Sequence, residues 1–401
     1  MTAARLLKPN EQNNIAISIP KDIFVFSHLR WEFVYQRPQH IMSRLSKYYR
    51  IFFIEEPIYR DDKTVIHKEI SENIHIIQPC IGNDGIADIA IITAMYCGKY
   101  NILNPIFWFY SPGFVDVLKY FTPSFVVYDC MDELSAFRGA PVELINKELE
   151  LLSDADIVFT GGRSLFEAKS KKNKNVYFYP SSVDRKHFAS RALFGKDTMP
   201  KDLENVKSPI VGFYGVIDER LDTDLLEKVA KLMPEVSFVM IGPIVKISEN
   251  ELPKSENIFY LGPKKYEELP EYLYRFDIAW MPFALNEATR FISPTKTLEY
   301  MAAYKPIIST PIKDVVRSYD NPAVIIVKNP IETVEAINYL LAENYSARKM
   351  RIYSQNQILE KTSWDETVEA MRSNINQAIN TNKVSVSKSD LQKVIGQSDF
   401  L

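Results

Sequence analysis

Three observations predict an α/β protein made of two consecutive doubly wound, Rossmann-like halves facing across a cleft. Short apolar runs of strand length recur along the 401 residues, helical stretches separate many of them, and a polar, aperiodic interval at 184–207 divides the series. The length exceeds one typical core, and a hydrophobic fraction of 46% can fill two.

Residues 1–20 read as a polar arm. The domain expected over 21–190 opens on the strand "DIFVFSHL", then a helix in "RPQHIMSRLSKYY" and the strand "RIFFIEE". Strands follow at "IHIIQP", "PIFWFY", "SFVVYD", "DIVFTG" and "VYFYP", with helices over "PVELINKELELLSDA" and "RSLFEAKSKK". Such near-continuous apolar strands suit a parallel sheet covered on both faces. A linker is placed at 191–207. The domain expected over 208–380 has strands "PIVGFYGV", "SFVMIGP", "NIFYLGP", "DIAWMPF", "KPIIST" and "AVIIVKN", connected by helices such as "DTDLLEKVAKLM" and "KYEELPEYLYRF". It closes on a helix in "SWDETVEAMRSNINQAINT", after which 381–401 reads as a peripheral tail.

A net charge of −3 gives no sign of nucleic-acid binding. Cys80, Cys97 and Cys130 form no CxxC pair and leave an odd count, so a reducing, cytoplasmic setting is expected. The first residues lack the apolar core of a leader peptide, and no run of about 18 apolar residues occurs. The five histidines are scattered and no HExxH is present, so no metal site is expected. "DAD" at 154–156 and "DTD" at 222–224 are discounted as metal motifs: the first precedes a strand, and Asp222 suits a helix N-cap.

The sharpest segment is "SPTKTLEYMAAYKPIIST" over 293–310. Ser293 is a good N-cap and Pro294 suits the first helical position. Lys296 and Glu299, three residues apart, share one face near the helix start, where anions are favoured. The bland alternative is an exposed ion pair. The flanking strands place the helix start at the carboxyl end of a parallel strand, where open α/β sheets bind ligands. In "VGFYGVIDERLDTDLL", Gly215 allows close backbone approach to a phosphate and Arg220 follows, or else these are a tight turn and a solvated charge. In "VVYDCMDELSAF", Asp132 is a candidate base or acceptor contact. Asp129 reads as a cap or turn residue and Glu133 as a spare. His28, Arg30 and Trp31 follow the first strand and are expected at the cleft mouth, with core packing the alternative for Trp31 and a satisfied loop position for His28.

These segments resemble the GT-B glycosyltransferases, in particular the bacterial group 1 class, over about residues 22–375. "TLEYMAAYKPIIST" is similar to the latter half of that class's E-x7-E motif and following strand, with Glu299 on the second glutamate. Phe291 stands where the first would be, and the glycine-rich first loop is absent. The W-x4-Q-R-P-Q core of "HLRWEFVYQRPQHIMSRL" and the P-x-K-x-x-E-Y pattern resemble a polysaccharide and teichuronic-acid type subgroup.

The resemblance implies a metal-independent hexosyl transfer, with no cofactor, from a nucleotide diphosphate sugar of UDP type to a glycan or lipid-linked glycan in bacterial surface polysaccharide synthesis. Donor contacts would come from Gly215, Arg220, Ser293, Thr295, Lys296 and Glu299. Arg220, Lys296 and the helix start would stabilise the leaving diphosphate, and His28, Arg30 and Trp31 would meet the acceptor. The basic run "KSKKNKN" at 169–175 reads as a solvated helix end or as a peripheral contact to anionic lipid at the inner membrane face. Two alternatives stay open: a nucleotide-sugar epimerase of the same fold, and a non-catalytic partner subunit.

Overall fold

The structure is a computed structural model that describes residues 20–60, 64–82, 85–189, 199–319 and 321–395. The arm at 1–19 and linker residues 190–198 lie outside them.

Among the described residues, nine strands form the first sheet: β1 (Asp22–Phe26), β2 (Arg50–Ile54), β3 (Ile58–Tyr59), β4 (Thr64–Ser71), β5 (Ile74–Ile81), β6 (Ile106–Phe109), β7 (Phe125–Cys130), β8 (Ile157–Thr160) and β9 (Val176–Phe178). Their order is 3-5-2-1-6-7-8-9, all parallel, with β4 antiparallel to β5. Helices α1 (Arg37–Leu45), α2 (Ile86–Tyr100), α3 (Glu143–Asp154) and α4 (Arg163–Lys169) connect them, and α5 (Arg185–Ala189) leads out of the sheet.

The second sheet comprises β10 (Ile210–Tyr214), β11 (Ser237–Ile241), β12 (Ile258–Tyr260), β13 (Ile278–Met281), β14 (Ile307–Ser309) and β15 (Ile325–Ile326), in the all-parallel order 12-11-10-13-14-15. Its helices are α6 (Thr223–Leu232), α7 (Leu269–Arg275), α8 (Lys296–Ala302), α9 (Lys313–Ser318), α10 (Pro330–Leu341) and α11 (Tyr345–Leu359), before the long α12 (Trp364–Ile395).

In each sheet the chain winds outward on one side of its first strand and then resumes on the other. The switch points lie between β1 and β6 and between β10 and β13, and their carboxyl-end crevices are where such sheets take ligands.

Three apolar clusters account for the packing. One fills the second half; the other two cover opposite faces of the first sheet, one with Phe24, Phe52 and Phe107, the other with Val25, Phe53 and Trp108. Alternate residues of each strand point to opposite faces, which produces that division. The final helix departs from the predicted grouping. Trp364, Val368, Met371, Ile375 and Ile379 make a helical stripe that completes the second of these first-sheet clusters, so α12 packs back on the first half. The helix also runs to Ile395, well into the segment read as a tail. Helices α2, α10 and α11 and strand β4 were not predicted.

A second link between the halves is polar. Asp314 of α9 accepts from the Ser164 backbone N–H at 3.1 Å and from its hydroxyl at 2.6 Å, satisfying donors at the start of α4. Glu167 of α4 pairs with Arg317 at 3.0 Å.

Candidate active site

The second half contributes a compact pocket at its switch point. Strand β10 ends at Tyr214, and Gly215 follows with φ +143°, a conformation that side chains rarely adopt. A Cβ there would lie 2.9 Å from Lys296 Cε and 3.2 Å from its Nζ, so the lysine lies directly over the glycine backbone. Gly242, after β11, comes still closer: a Cβ on it would overlap the Gly215 carbonyl. Two glycines thus allow two strand ends to converge beneath one ammonium group. The loop after β10 is tied to the loop after β13 by hydrogen bonds from Asp222 N to Pro282 O at 2.8 Å and from Ala284 N to Arg220 O at 2.8 Å. Asp222 also caps α6, accepting from Leu225 N at 2.9 Å, as its sequence context predicts.

Lys296 Nζ lies 5.5 Å from the Phe213 ring and 5.3 Å from Phe283. Burial, reinforced by the Arg220 charge, lowers its pKa to about 8. Glu299, one turn on, is buried and accepts a 2.7 Å hydrogen bond from the Tyr214 hydroxyl. Burial raises its carboxyl above the usual range, while the Tyr214 bond and the Lys296 charge oppose the rise. The pair is therefore no surface salt bridge. Arg220 is held by Asp218, its Nε and Nη2 donating at 2.9 and 2.7 Å.

The helix start differs from the prediction. Helix α8 begins at Lys296, with Thr295 at its cap and no side-chain cap bond, and the Thr297 N to Pro294 O contact makes a tight turn before it. Ser293 is not the cap. A helix of seven residues offers little macrodipole, so the side-chain cations carry the electrostatics of this pocket.

The first half places Asp132 opposite, just beyond β7 and half-buried. Burial raises its carboxyl, Arg220 pulls it down, Asp218 pushes it up, and Lys296 and Lys246 pull it down. Groups from both halves thus share one electrostatic environment. Lys246, which sequence reasoning missed, extends over the Phe137 ring at 4.2 Å, beside Arg220 at 5.1 Å from the same ring. Its backbone adopts φ +62° after β11, and nothing in "IGPIVK" marks it. His28 also faces this region: burial and the Lys246 charge lower its pKa to about 4, and its Nδ1 has no hydrogen-bond partner among the described residues.

Arg30 and Trp31 do not join this cluster. They line a separate cavity of about 240 Å³ with Glu55, Lys68, Ile76 and Gln78. Trp31 is 8% exposed and packs edge-on against Phe53 at 5.2 Å, while its backbone N–H donates to Glu55 Oε1 at 2.7 Å.

The W-x4-Q-R-P-Q segment is a scaffold. Gln39 Nε2 donates to the Trp31 and Val34 carbonyls at 2.8 and 2.9 Å, fixing the loop before α1. Arg37 is buried and pairs with buried Asp129 at 2.9 Å, also donating to Tyr179 O at 2.7 Å. Asp129 therefore belongs to strand β7 and an ion pair, and is neither a cap nor a turn residue. Glu133 is held by Lys169 at 2.7 Å, and the same lysine pairs with Glu148 at 2.6 Å. The first lysine of the basic run is thus buried and unavailable to lipid.

Phe291 packs against the first half's apolar cluster, and a Cβ on Gly162 would touch its carbonyl at 3.4 Å. The residue at the first-glutamate position therefore serves domain contact.

With this geometry in hand, comparison with known proteins gives consistent findings. Residues 208–343 match the family model described as glycosyl transferases group 1. A Bacillus subtilis (strain 168) protein named for a glycosyltransferase of teichuronic acid biosynthesis, TuaH, is 25% identical over 221 residues, covering 51% of this chain and 54% of the relative. The chain thus spans about half the length of the curated relative it matches. A sucrose-phosphate synthase from Thermosynechococcus elongatus superimposes with a TM-score of 0.69 at 14% identity, over 90% of this chain and 100% of that one. A trehalose-6-phosphate protein from E. coli bound with UDP-2-fluoro glucose gives 0.66 at 14%, over 89% and 99%. A UDP-forming trehalose-phosphate synthase from Burkholderia xenovorans in complex with glucose-6-phosphate gives 0.66 at 11%, over 88% and 100%. The fold is GT-B, and residues 208–343 of its second half match the group 1 glycosyltransferase model. No helix of the described residues is long and apolar enough to cross a membrane.

Proposed function

We propose that the chain transfers a hexosyl group from a UDP-type nucleotide sugar to a hydroxyl of a glycan or lipid-linked glycan in surface polysaccharide synthesis, working in the cytoplasm at the inner face of the membrane. The observation that carries this reading is the seating of Lys296 over the Gly215 backbone at the second switch point, with buried Glu299 one turn beyond. Bare backbone and an ammonium are the partners a diphosphate takes, and the Lys296 chain, which here lies against Gly215, would swing aside to admit one. A buried carboxylate beside it suits the paired hydroxyls of a ribose, and Ser293 and Thr295 flank the same loop.

In the transfer, the bond from the sugar's anomeric carbon to the diphosphate oxygen breaks as the acceptor oxygen attacks. Negative charge develops on the diphosphate. Lys296, Arg220 and Lys246 are preorganised around it, and such placement stabilises the transition state more than the ground state. Asp132 touches the acceptor hydroxyl, as base in an inverting route or as hydrogen-bond acceptor in a retaining one. His28 stays neutral near pH 7 and offers a hydrogen bond without adding charge. The cations already present make no demand for a metal ion. The Asp314 and Glu167 contacts between α9 and α4 hold the halves together, and a closed cleft would keep water from the donor sugar.

The test is a screen of nucleotide sugars for transfer or slow hydrolysis, with the anomeric configuration of the product read by NMR. Release of nucleoside diphosphate by the wild type and its loss in Lys296→Ala is the expected result. Equal release by both proteins would remove Lys296 from the mechanism.

A further inference from the structure

The β4–β5 hairpin gathers three ligand-type side chains that the sequence spreads over nine residues. Antiparallel register sets Glu69 opposite His75 and His67 opposite Ile77. His67 and Glu69, two residues apart, share one face. His67 Nε2 lies 3.2 Å from His75 Nδ1, Glu69 Oε1 lies 3.6 Å from the same nitrogen, and the three ligand atoms fall within 4.8 Å of one another.

We propose that His67, His75 and Glu69 form a zinc-class divalent cation site that clips the hairpin, with its fourth position open. A zinc–nitrogen bond of about 2.0–2.1 Å in tetrahedral geometry places two ligand nitrogens about 3.3 Å apart, and the observed 3.2 Å already meets that spacing. The glutamate side chain is 62% exposed and can close the remaining gap by rotating. Two imidazoles and a carboxylate are a donor set suited to zinc.

The histidine rings are fixed by packing. His75 stacks on Phe52 at 4.9 Å, and His67 meets Tyr96 edge-on at 5.3 Å. Coordination through His75 Nδ1 places the ring proton on Nε2, which has no protein partner among the described residues. Two cations lie nearby: Arg50, which pairs with Asp22 at 2.7 Å, and Lys99, which lies over the Tyr100 ring at 5.0 Å.

The site also has a structural purpose. Among the described residues β4 is paired on one side only, to β5, and the opposite face of β4, through Ile66, Lys68 and Ile70, lines the cavity that holds Arg30 and Trp31. An ion on one face would fix the cavity wall on the other.

The experiment is a calorimetric titration of tag-free, chelator-treated protein with Zn²⁺, paired with the visible spectrum of the Co²⁺ form. Saturable one-to-one binding with a tetrahedral Co²⁺ spectrum is expected. Loss of even an outer-shell partner weakens metal sites about 10- to 100-fold, so His67→Ala and Glu69→Gln should each lose at least about tenfold. Both positions tolerate change better than buried His75, so the fold is preserved in the test. Absence of saturable binding, an octahedral spectrum, or affinity unchanged in His67→Ala would each overturn the site and leave a plain hydrogen-bonded histidine pair.

Discussion

The two faces of the cleft were built in different ways. On the second half, the residues that make the sequence recognisable are the ones at the pocket: Gly215, Arg220, Lys296 and Glu299 converge within one crevice. On the first half the recognisable segment is spent on architecture, because Arg37, Gln39 and Trp31 brace the loop and β7. The groups there that face the pocket, Asp132 and His28, sit outside the core of that motif. A distinctive sequence pattern therefore marks either chemistry or the frame that presents it, and burial separates the two.

That contrast can be broken by mutation. The largest stability loss is expected for Arg37→Ala, since removing one partner of a buried ion pair costs about 3–5 kcal/mol. Chemical denaturation would read the loss, while UDP affinity of the folded fraction should be unchanged. Lys296→Ala should show the reverse pattern. Turnover is expected to fall about 10²- to 10³-fold, the scale seen when one preorganised electrostatic contact is removed, with the denaturation midpoint nearly unmoved. If Arg37→Ala abolished nucleotide binding at full stability, the division between frame and chemistry would fail.

Phe291→Glu sharpens the same comparison at the domain contact. It restores the glutamate expected from the group 1 pattern, yet the side chain would point into the first half's apolar cluster. A loss of about 1–3 kcal/mol is expected from placing a polar group there, with no gain in donor affinity. A gain in turnover would show that position 291 reaches the donor sugar.

A separate effect is expected on acid stability. His28 and His40, the latter buried in α1, have pKa values lowered to about 4 and about 3, both by burial first. The unfolded chain binds these protons near pH 6.5, so their contribution is complete above about pH 6.5 and declines as pH falls toward 4. Thermal melts across that window should show the decline, and a flat profile would mean that both rings are solvated.

Much of this was legible in the sequence. The alternating apolar runs specify both sheets because parallel strands buried on two faces cannot hide their composition. The convergence of Gly215, Lys296 and Glu299 was readable because each answers a local demand at a strand end. Other features were not legible, for definite reasons. Asp129 looks like a loop residue until Arg37, 92 positions away, is brought against it. Lys246 reaches the cleft through a positive-φ turn that its residue type does not announce. The stripe on α12 is visible as a periodicity, but which half it covers is decided by the path of the chain. The histidines of the hairpin look scattered until antiparallel register pairs them.

The most direct measurement is calorimetric titration of UDP into wild type and Lys296→Ala at pH 7 and pH 9. Lys296 is protonated below its pKa of about 8 and loses its charge above it. Wild-type affinity should therefore fall on raising the pH, while the variant binds weakly and with much less pH dependence. UDP binding that is absent in the wild type, or equal in both proteins at both pH values, would contradict the assignment of this crevice as the nucleotide site.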